Sequence, residues 1–182
     1  HWEDSTHIAS NVATIGVKYR WIRLEASGFH GGEPDENRWN IDWGPMDSYS
    51  ARVSVFPSRN WTAQVSAGHL TKPEALEAGD VVRATASIHY TRVRSSGEAW
   101  ATSAIWGSNH HTGGNVNSNA WLLETMFPAT RKDFLTGRFE MVQEAARVKA
   151  ITGGYTHDLA TKSNLEMGIG ANVTGYATPG DH

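Results

Sequence analysis

The chain has 182 residues, of which 39% are hydrophobic and 19% charged, with no cysteine and a net charge of −3. Without cysteine there can be no disulfides, thiolate metal sites or cysteine nucleophiles, and the slight negative charge argues against a broad nucleic-acid surface. No run of about 18 apolar residues is present, which excludes a transmembrane helix but not transmembrane strands, whose residues alternate. The length predicts one domain over residues 1–182.

Period-two alternation of apolar and polar residues is the dominant pattern, and turn residues interrupt it every 8 to 12 residues or so. It is cleanest from Val82 to Tyr90, where apolar and polar side chains fall on opposite faces. Segment 98–108 could place Trp100 and Trp106 on one face, and segment 139–150 could also form a helix, although Gly153 and Gly154 after it favour strand-loop-strand. We predict ten strands: 8–18, 21–29, 48–56, 61–70, 81–92, 98–108, 119–127, 134–142, 147–158 and 164–176.

The predicted connections alternate in length. Those near residues 19–20, 57–60, 93–97, 128–133 and 160–163 are short, whereas those after residues 29, 70 and 108 are long. The second long connection could contain one helical turn over 72–80, and the third would hold His110 and His111. Short turns on one rim and long loops on the other are typical of an up-and-down outer-membrane barrel. The sequence therefore predicts an all-β, antiparallel, up-and-down transmembrane β-barrel, with about ten strands in this chain.

The composition of the two faces favours a membrane barrel over a soluble sandwich or barrel. The apolar face is rich in alanine, which fills a soluble core poorly but is accommodated by lipid. Aromatic residues lie near the predicted strand ends, where an aromatic girdle would meet the membrane interface. The polar face would line the lumen with ionisable side chains. The predicted lumen-lining residues are Arg23, Glu25, Arg52, Arg83, His89, Arg138, Glu140 and Glu166.

Several segments resemble a family of bacterial outer-membrane β-barrel proteins that are described as porin-like and functionally uncharacterised. The similar segments are FHGGEPDENRW at 29–39, GPMDSYSAR at 44–52, NWTAQVS at 60–66, PEALE at 73–77, TAS at 85–87 and WATSAIWG at 100–107. The resemblance covers roughly residues 5 to 182. It implies an outer-membrane location, but no substrate or catalytic residue. Unlike full members, the sequence has no secretion signal and no final strand ending in an aromatic residue, so we expect a fragment that lacks N-terminal strands and the last C-terminal strand.

Histidines and acidic residues could in principle hold a metal. His110 and His111 would point to opposite faces of a strand, and no HExxH or HxH spacing is present. The first long loop is acidic but lacks the EF-hand pattern, so we expect solvated side chains and no metal or other cofactor. Its acidic residues are Glu33, Asp35, Glu36, Asp42 and Asp47.

No catalytic residue is predicted. Ser87 and His89 lie two residues apart on one face of a strand, about 7 Å by strand rise, whereas a Ser–His hydrogen bond needs about 3 Å. We therefore expect no enzyme. The expected function is a porin-like route for small polar solutes across a bacterial outer membrane, with membrane lipid as the other partner and no nucleic acid. Two alternatives remain: a non-conducting structural or adhesive barrel, and a soluble β-sandwich that binds carbohydrate through Trp39 and Trp43.

Overall fold

One antiparallel sheet of ten strands forms the described part of the protein. The structure is a computed structural model, and it describes residues 10–32, 43–73, 79–143, 147–162 and 165–178. In these residues no helix has the length and apolar character needed to cross a membrane. The strands are β1 (Ser10–Tyr19), β2 (Ile22–His30), β3 (Ser48–Val55), β4 (Trp61–Leu70), β5 (Val81–Val93), β6 (Ala99–His111), β7 (Val116–Pro128), β8 (Asp133–Gln143), β9 (Arg147–Lys162) and β10 (Leu165–Ala177).

The spatial order of the strands equals their chain order, so each strand pairs with its sequence neighbours. This confirms the predicted antiparallel up-and-down architecture and all ten strands. In the described part of the chain, β1 pairs only with β2 and β10 only with β9. The sheet is therefore open, and its closure into a transmembrane barrel stays a prediction.

The β6–β7 hairpin is longer than its sequence suggests. His111 pairs with Val116 and His110 with Asn117, so both histidines belong to a strand, and the connection holds only residues 112–115. The prediction of a third long loop from residue 109 was therefore wrong. Asn115, with φ 52°, takes the left-handed conformation that lets so short a connection turn the chain. The acidic residues of segment 33–42 lie outside the described residues. The helical turn predicted within 72–80 falls largely on residues 74–78, which also lie outside them.

The two faces of the sheet differ sharply in burial. All the strand residues that are buried have their side chains on the polar face, among them Ser54 at 2% exposed and Asn109 at 6% exposed. Large side chains on the opposite face are open, such as Val65 at 56% and Ile151 at 66%. Side chains crowd on the inside of a curved sheet and spread apart on its outside. From this difference in burial we infer that the polar face is the concave side and the apolar face the convex side.

Strand ends are staggered along the sheet. One row of cross-strand partners begins at Tyr19, the last residue of β1, and ends at Gly175, ten residues after the start of β10 at Leu165. The members between them are Ile22, Val55, Ala63, Ile88, Ala104, Leu123, Phe139 and Ile151. At the opposite rim, the strand ends shift along the sheet in the same direction by about seven residues between β1 and β10. With a rise of about 3.3 Å per residue and a strand spacing of about 4.8 Å, this slant equals a tilt of about 28–37°.

Candidate functional site

The polar face collects all the residues that the sequence predicts for a lumen. Arg23 and Glu25 lie in β2, Arg52 in β3, Arg83 and His89 in β5, Arg138 and Glu140 in β8, and Glu166 in β10. Strand alternation and the pairing registers place their side chains on the same side of the sheet. Glu166 stands apart from the others, near the β9–β10 joint and beyond a register shift at Met167. The site is thus a wall of polar side chains rather than one pocket.

Charged residues on this wall pair along their own strands. The Arg23 Nε lies 3.1 Å from Glu25 Oε2, and the Arg138 Nη2 donates to Glu140 Oε1 at 2.7 Å. Each pair joins residues i and i+2 of one strand, whose side chains share a face. The pairs therefore neutralise charge locally along the wall, with no need for a partner across the concave side.

Hydrogen bonds between neighbouring strands connect further side chains of this polar face. The Arg83 Nε donates to Asn109 Oδ1 at 2.8 Å, which joins β5 to β6. Hydroxyl pairs make similar contacts between other neighbouring strands: Thr14 with Ser27 at 2.8 Å, Ser66 with Thr85 at 2.7 Å and Thr152 with Thr174 at 2.9 Å. Cross-strand pairs of this kind stabilise a sheet and keep its register.

Ser87, His89 and Ser103 form a hydrogen-bonded group that the sequence reasoning excluded. His89 Nε2 lies 2.9 Å from Ser87 Oγ, and its Nδ1 lies 3.0 Å from Ser103 Oγ. The prediction that Ser87 and His89 are too far apart for a hydrogen bond was wrong, because the imidazole reaches along the strand from a backbone about 7 Å away. The second ring nitrogen contacts a hydroxyl rather than a carboxylate, and Ser87 is only 9% exposed.

Glu124 is a member of the polar wall that the sequence reasoning missed. It lies opposite Ser103 in β6 and Arg138 in β8, in the row that also contains His89. Large apolar residues stand on both faces of β7, so alternation alone did not assign a polar face to this strand. The register of β7 against β8 supplies the missing information.

At the rim with the long connections, Asp47 ties two chain segments together. Its carboxylate accepts hydrogen bonds from the Gly31 N–H at 3.1 Å and the Ser48 hydroxyl at 3.0 Å, and the His30 ring lies 3.7 Å away. Burial by itself would raise the pKa of Asp47, but these hydrogen bonds and the nearby imidazole outweigh it and hold the pKa below its ordinary value. The Thr71 hydroxyl also donates to the Asp47 carbonyl at 2.9 Å.

Histidines at the same rim have partners within the sheet. The His69 Nε2 lies 3.3 Å from Asp80 Oδ2, and its ring stacks on Tyr49 at 5.4 Å between centroids. The His110 Nδ1 lies 2.8 Å from Asn117 Oδ1. Within the described ranges, no group of three or more His, Asp or Glu side chains is arranged to hold a metal ion.

Aromatic rings form a continuous chain on the convex face near the short joints. Trp61, Tyr90, Trp100 and Phe127 contact one another in this order, with centroid separations of 4.8, 5.1 and 5.8 Å. The chain crosses four hairpin strands or their ends, β4 to β7, and follows the slant of the strand ends. We call these four residues the ring chain.

Comparison with known proteins gives no relative: no family model, curated protein or solved structure matches the chain.

Proposed function

We propose that this sheet is the wall of an outer-membrane β-barrel, and that small polar solutes pass along its polar face. The observation that carries this proposal is the difference in exposure between the two faces: polar side chains are crowded on one face, and large apolar side chains are exposed on the other. A soluble β-protein buries its apolar face, whereas a membrane barrel turns it toward lipid and lines the lumen with polar groups.

The dimensions of the sheet support the same proposal. A transmembrane strand has about 9–11 residues and a tilt of about 45°. Nine of the ten strands have at least 9 residues, and the slant of the strand ends corresponds to a tilt of about 28–37°. Trp61 and the Tyr49–His69 stack lie at opposite ends of the exposed apolar band of β3 and β4, as interface residues would. Lipid also requires that the edge strands β1 and β10 find partners, because unpaired backbone groups are costly there.

The polar wall offers hydrogen-bonding groups to a solute that passes along it. Its charges are of both signs, and two Arg–Glu pairs lie along β2 and β8, so the wall has polar character without a large field of one sign. Solutes would exchange hydrogen bonds with water for bonds with wall hydroxyls, amides and imidazole. We propose no covalent chemistry at this wall, and we assign selectivity to the charged groups on β2, β5 and β8.

Two linked measurements test the proposal. The chain is folded into lipid vesicles, and its gel migration is compared with and without heating, since folded membrane barrels resist the detergent until they are heated. Conductance is then recorded across a planar bilayer. Heat-modifiable migration with discrete conductance steps supports the proposal. Migration of that kind without conductance would leave a closed structural barrel, and a chain that folds in buffer without detergent or lipid would refute the membrane location.

A further inference from the structure

The two rims of the sheet have opposite charge. Four short joints, residues 18–22, 56–60, 92–98 and 129–133, contain seven basic residues and only two acidic ones, Glu98 and Asp133. We call their basic residues the basic rim: Lys18, Arg20, Arg59, Arg92, Arg94, Arg131 and Lys132. Asp158 of β9 adds one acidic group beside the last joint, where its N–H donates to the Lys132 carbonyl at 2.8 Å. The fifth joint at this rim, between β9 and β10, is flanked by one basic and one acidic residue, Lys162 and Glu166, so the excess of positive charge at this end of the sheet remains.

The opposite rim is acidic in sequence. The connections that span residues 31–47, 71–80, 112–115 and 144–146 contain nine acidic and only two basic residues. The chain as a whole has a net charge of −3, so the net positive charge of the four short joints is opposite in sign to that of the chain. The two ends would therefore interact very differently with an anionic surface.

Side chains of the basic rim are open and lie beside aromatic rings. All seven are exposed. The Arg94 Cζ lies 5.3 Å from the centroid of Phe127, a member of the ring chain, and the Arg20 Cζ lies 5.4 Å from that of Tyr19. The Lys18 Nζ lies 5.2 Å from the centroid of Phe56. All three are cation–π distances. Those of Arg94 and Arg20 hold the cations beside aromatic rings of the convex face, whereas Phe56 is also contacted by Arg23 of the polar wall, at 5.6 Å.

Glu98 contacts residues of the basic rim but does not neutralise its positive charge. It lies 3.9 Å from Arg131 through Oε1, and the Arg94 N–H donates to its carbonyl at 2.8 Å. A hydrogen bond from the Ser96 hydroxyl is the main reason why the pKa of Glu98 lies below its ordinary value, and Arg131 and Arg94 add to the effect. The Glu98 carboxylate thus pairs with one guanidinium group, that of Arg131 on the neighbouring joint, and Arg131 keeps 79% of its side chain exposed.

We propose that the basic rim binds the anionic phosphate headgroups of the membrane leaflet at the short-joint end of the barrel. This inference rests on the proposed membrane location. Tryptophan and tyrosine rings sit at the headgroup level of a bilayer, so cations held at the edge of such rings meet the lipid phosphates. The acidic rim at the other end would be repelled by the same lipids. Anionic lipid in one leaflet therefore also favours one orientation of the sheet across the membrane.

The test compares folding of the full chain into vesicles of phosphatidylcholine with folding into vesicles that also contain phosphatidylglycerol. The test variant is Arg59→Gln/Arg92→Gln/Lys132→Gln. The control variant is Lys72→Gln/Arg147→Gln/Lys149→Gln, which removes the same charge near the opposite rim. Vesicle-bound protein is measured by flotation, and membrane insertion by heat-modifiable migration.

Each cation near an anionic surface raises the binding constant about fivefold. We expect phosphatidylglycerol to raise vesicle binding of the unmodified chain and of the control variant at least tenfold. The test variant should lose most of this gain, and about 1 M salt should abolish it for all three proteins, because the screening length falls to about 3 Å. An equal gain for all three proteins, or an equal loss in the control variant, would overturn the basic rim as the lipid site.

The two proposals fail in different ways. If every variant inserts into phosphatidylcholine vesicles with heat-modifiable migration but shows no response to phosphatidylglycerol, the barrel proposal stands and the basic rim is refuted. If no variant inserts into either vesicle, the barrel proposal is refuted. If the chain floats only with phosphatidylglycerol and never becomes heat-modifiable, the basic rim binds lipid from outside the bilayer, and the proposed orientation across the membrane is refuted.

Discussion

A lysine at the centre of the convex face distinguishes lipid from water as the environment of that face. Val65 lies in the middle of β4, four residues from Trp61 on one side and four from His69 on the other. It is therefore about 13 Å along the strand from each of these two aromatic side chains. It is 56% exposed, so Val65→Lys would encounter little crowding within the protein. Its neighbour Gln64 faces the polar wall, and Gln64→Lys is the matched control.

The expected cost depends on what surrounds Val65. A lysine on the lipid face near the bilayer midplane costs about 2–4 kcal/mol, whereas an exposed substitution in water stays within about 0.5 kcal/mol. In vesicles, Val65→Lys should therefore lower the folding equilibrium constant by about 30- to 900-fold, and Gln64→Lys should change it little. Urea titration in vesicles, followed by tryptophan fluorescence and gel migration, measures both. Equal stabilities for the two variants would refute a lipid-facing convex side.

Further predictions concern the polar wall, one rim and a glycine pair. Arg83→Glu should shift ion selectivity toward cations in planar-bilayer recordings, and unchanged selectivity would remove Arg83 from the lumen. Because the pKa of Asp47 is lowered in the folded state, its contribution to stability is complete above its unfolded pKa and is lost as the pH falls below about 4. Asp47→Asn should reduce this acid sensitivity in urea titrations, and identical acid profiles would contradict the role of Asp47. A Cβ on Gly154 would clash with polar side chains of the neighbouring strands, whereas one on Gly153 meets nothing within 4 Å. Gly154→Ala should thus destabilise the fold by about 1–3 kcal/mol relative to Gly153→Ala, and equal stabilities would refute this packing. A serine-directed fluorophosphonate should leave Ser87 unlabelled, and labelling would show that a reactive nucleophile was overlooked.

The sequence predicted the strands well because alternation and turn residues are local signals. Every predicted strand is present, and β4 has the predicted bounds. The failures come from information that alternation does not contain. Nothing in the chain order shows that His110 pairs with Asn117, so the β6–β7 hairpin was predicted too short.

The sequence predicted which face of the sheet the charged residues share, but not their contacts. The face of each charged residue follows from strand periodicity, whereas contacts depend on side-chain reach and on register. Ser87 and His89 meet because an imidazole spans the strand rise, and Glu124 joins the wall only through its pairing with Arg138. Local sequence patterns also do not predict whether the sheet closes, because closure depends on which strands pair with the edge strands β1 and β10.

Thiol labelling of two neighbouring residues tests the central claim most directly. The chain has no cysteine, so Glu124→Cys and Leu123→Cys each create a single thiol. Glu124 is exposed on the concave face, and Leu123 is 50% exposed on the convex face. A water-soluble, membrane-impermeant maleimide is applied to each variant folded in vesicles. We predict that Glu124→Cys is labelled from an aqueous lumen while Leu123→Cys is shielded by lipid. Faster labelling of Leu123→Cys would contradict the membrane barrel, and no labelling at either position would contradict a water-filled route for solutes.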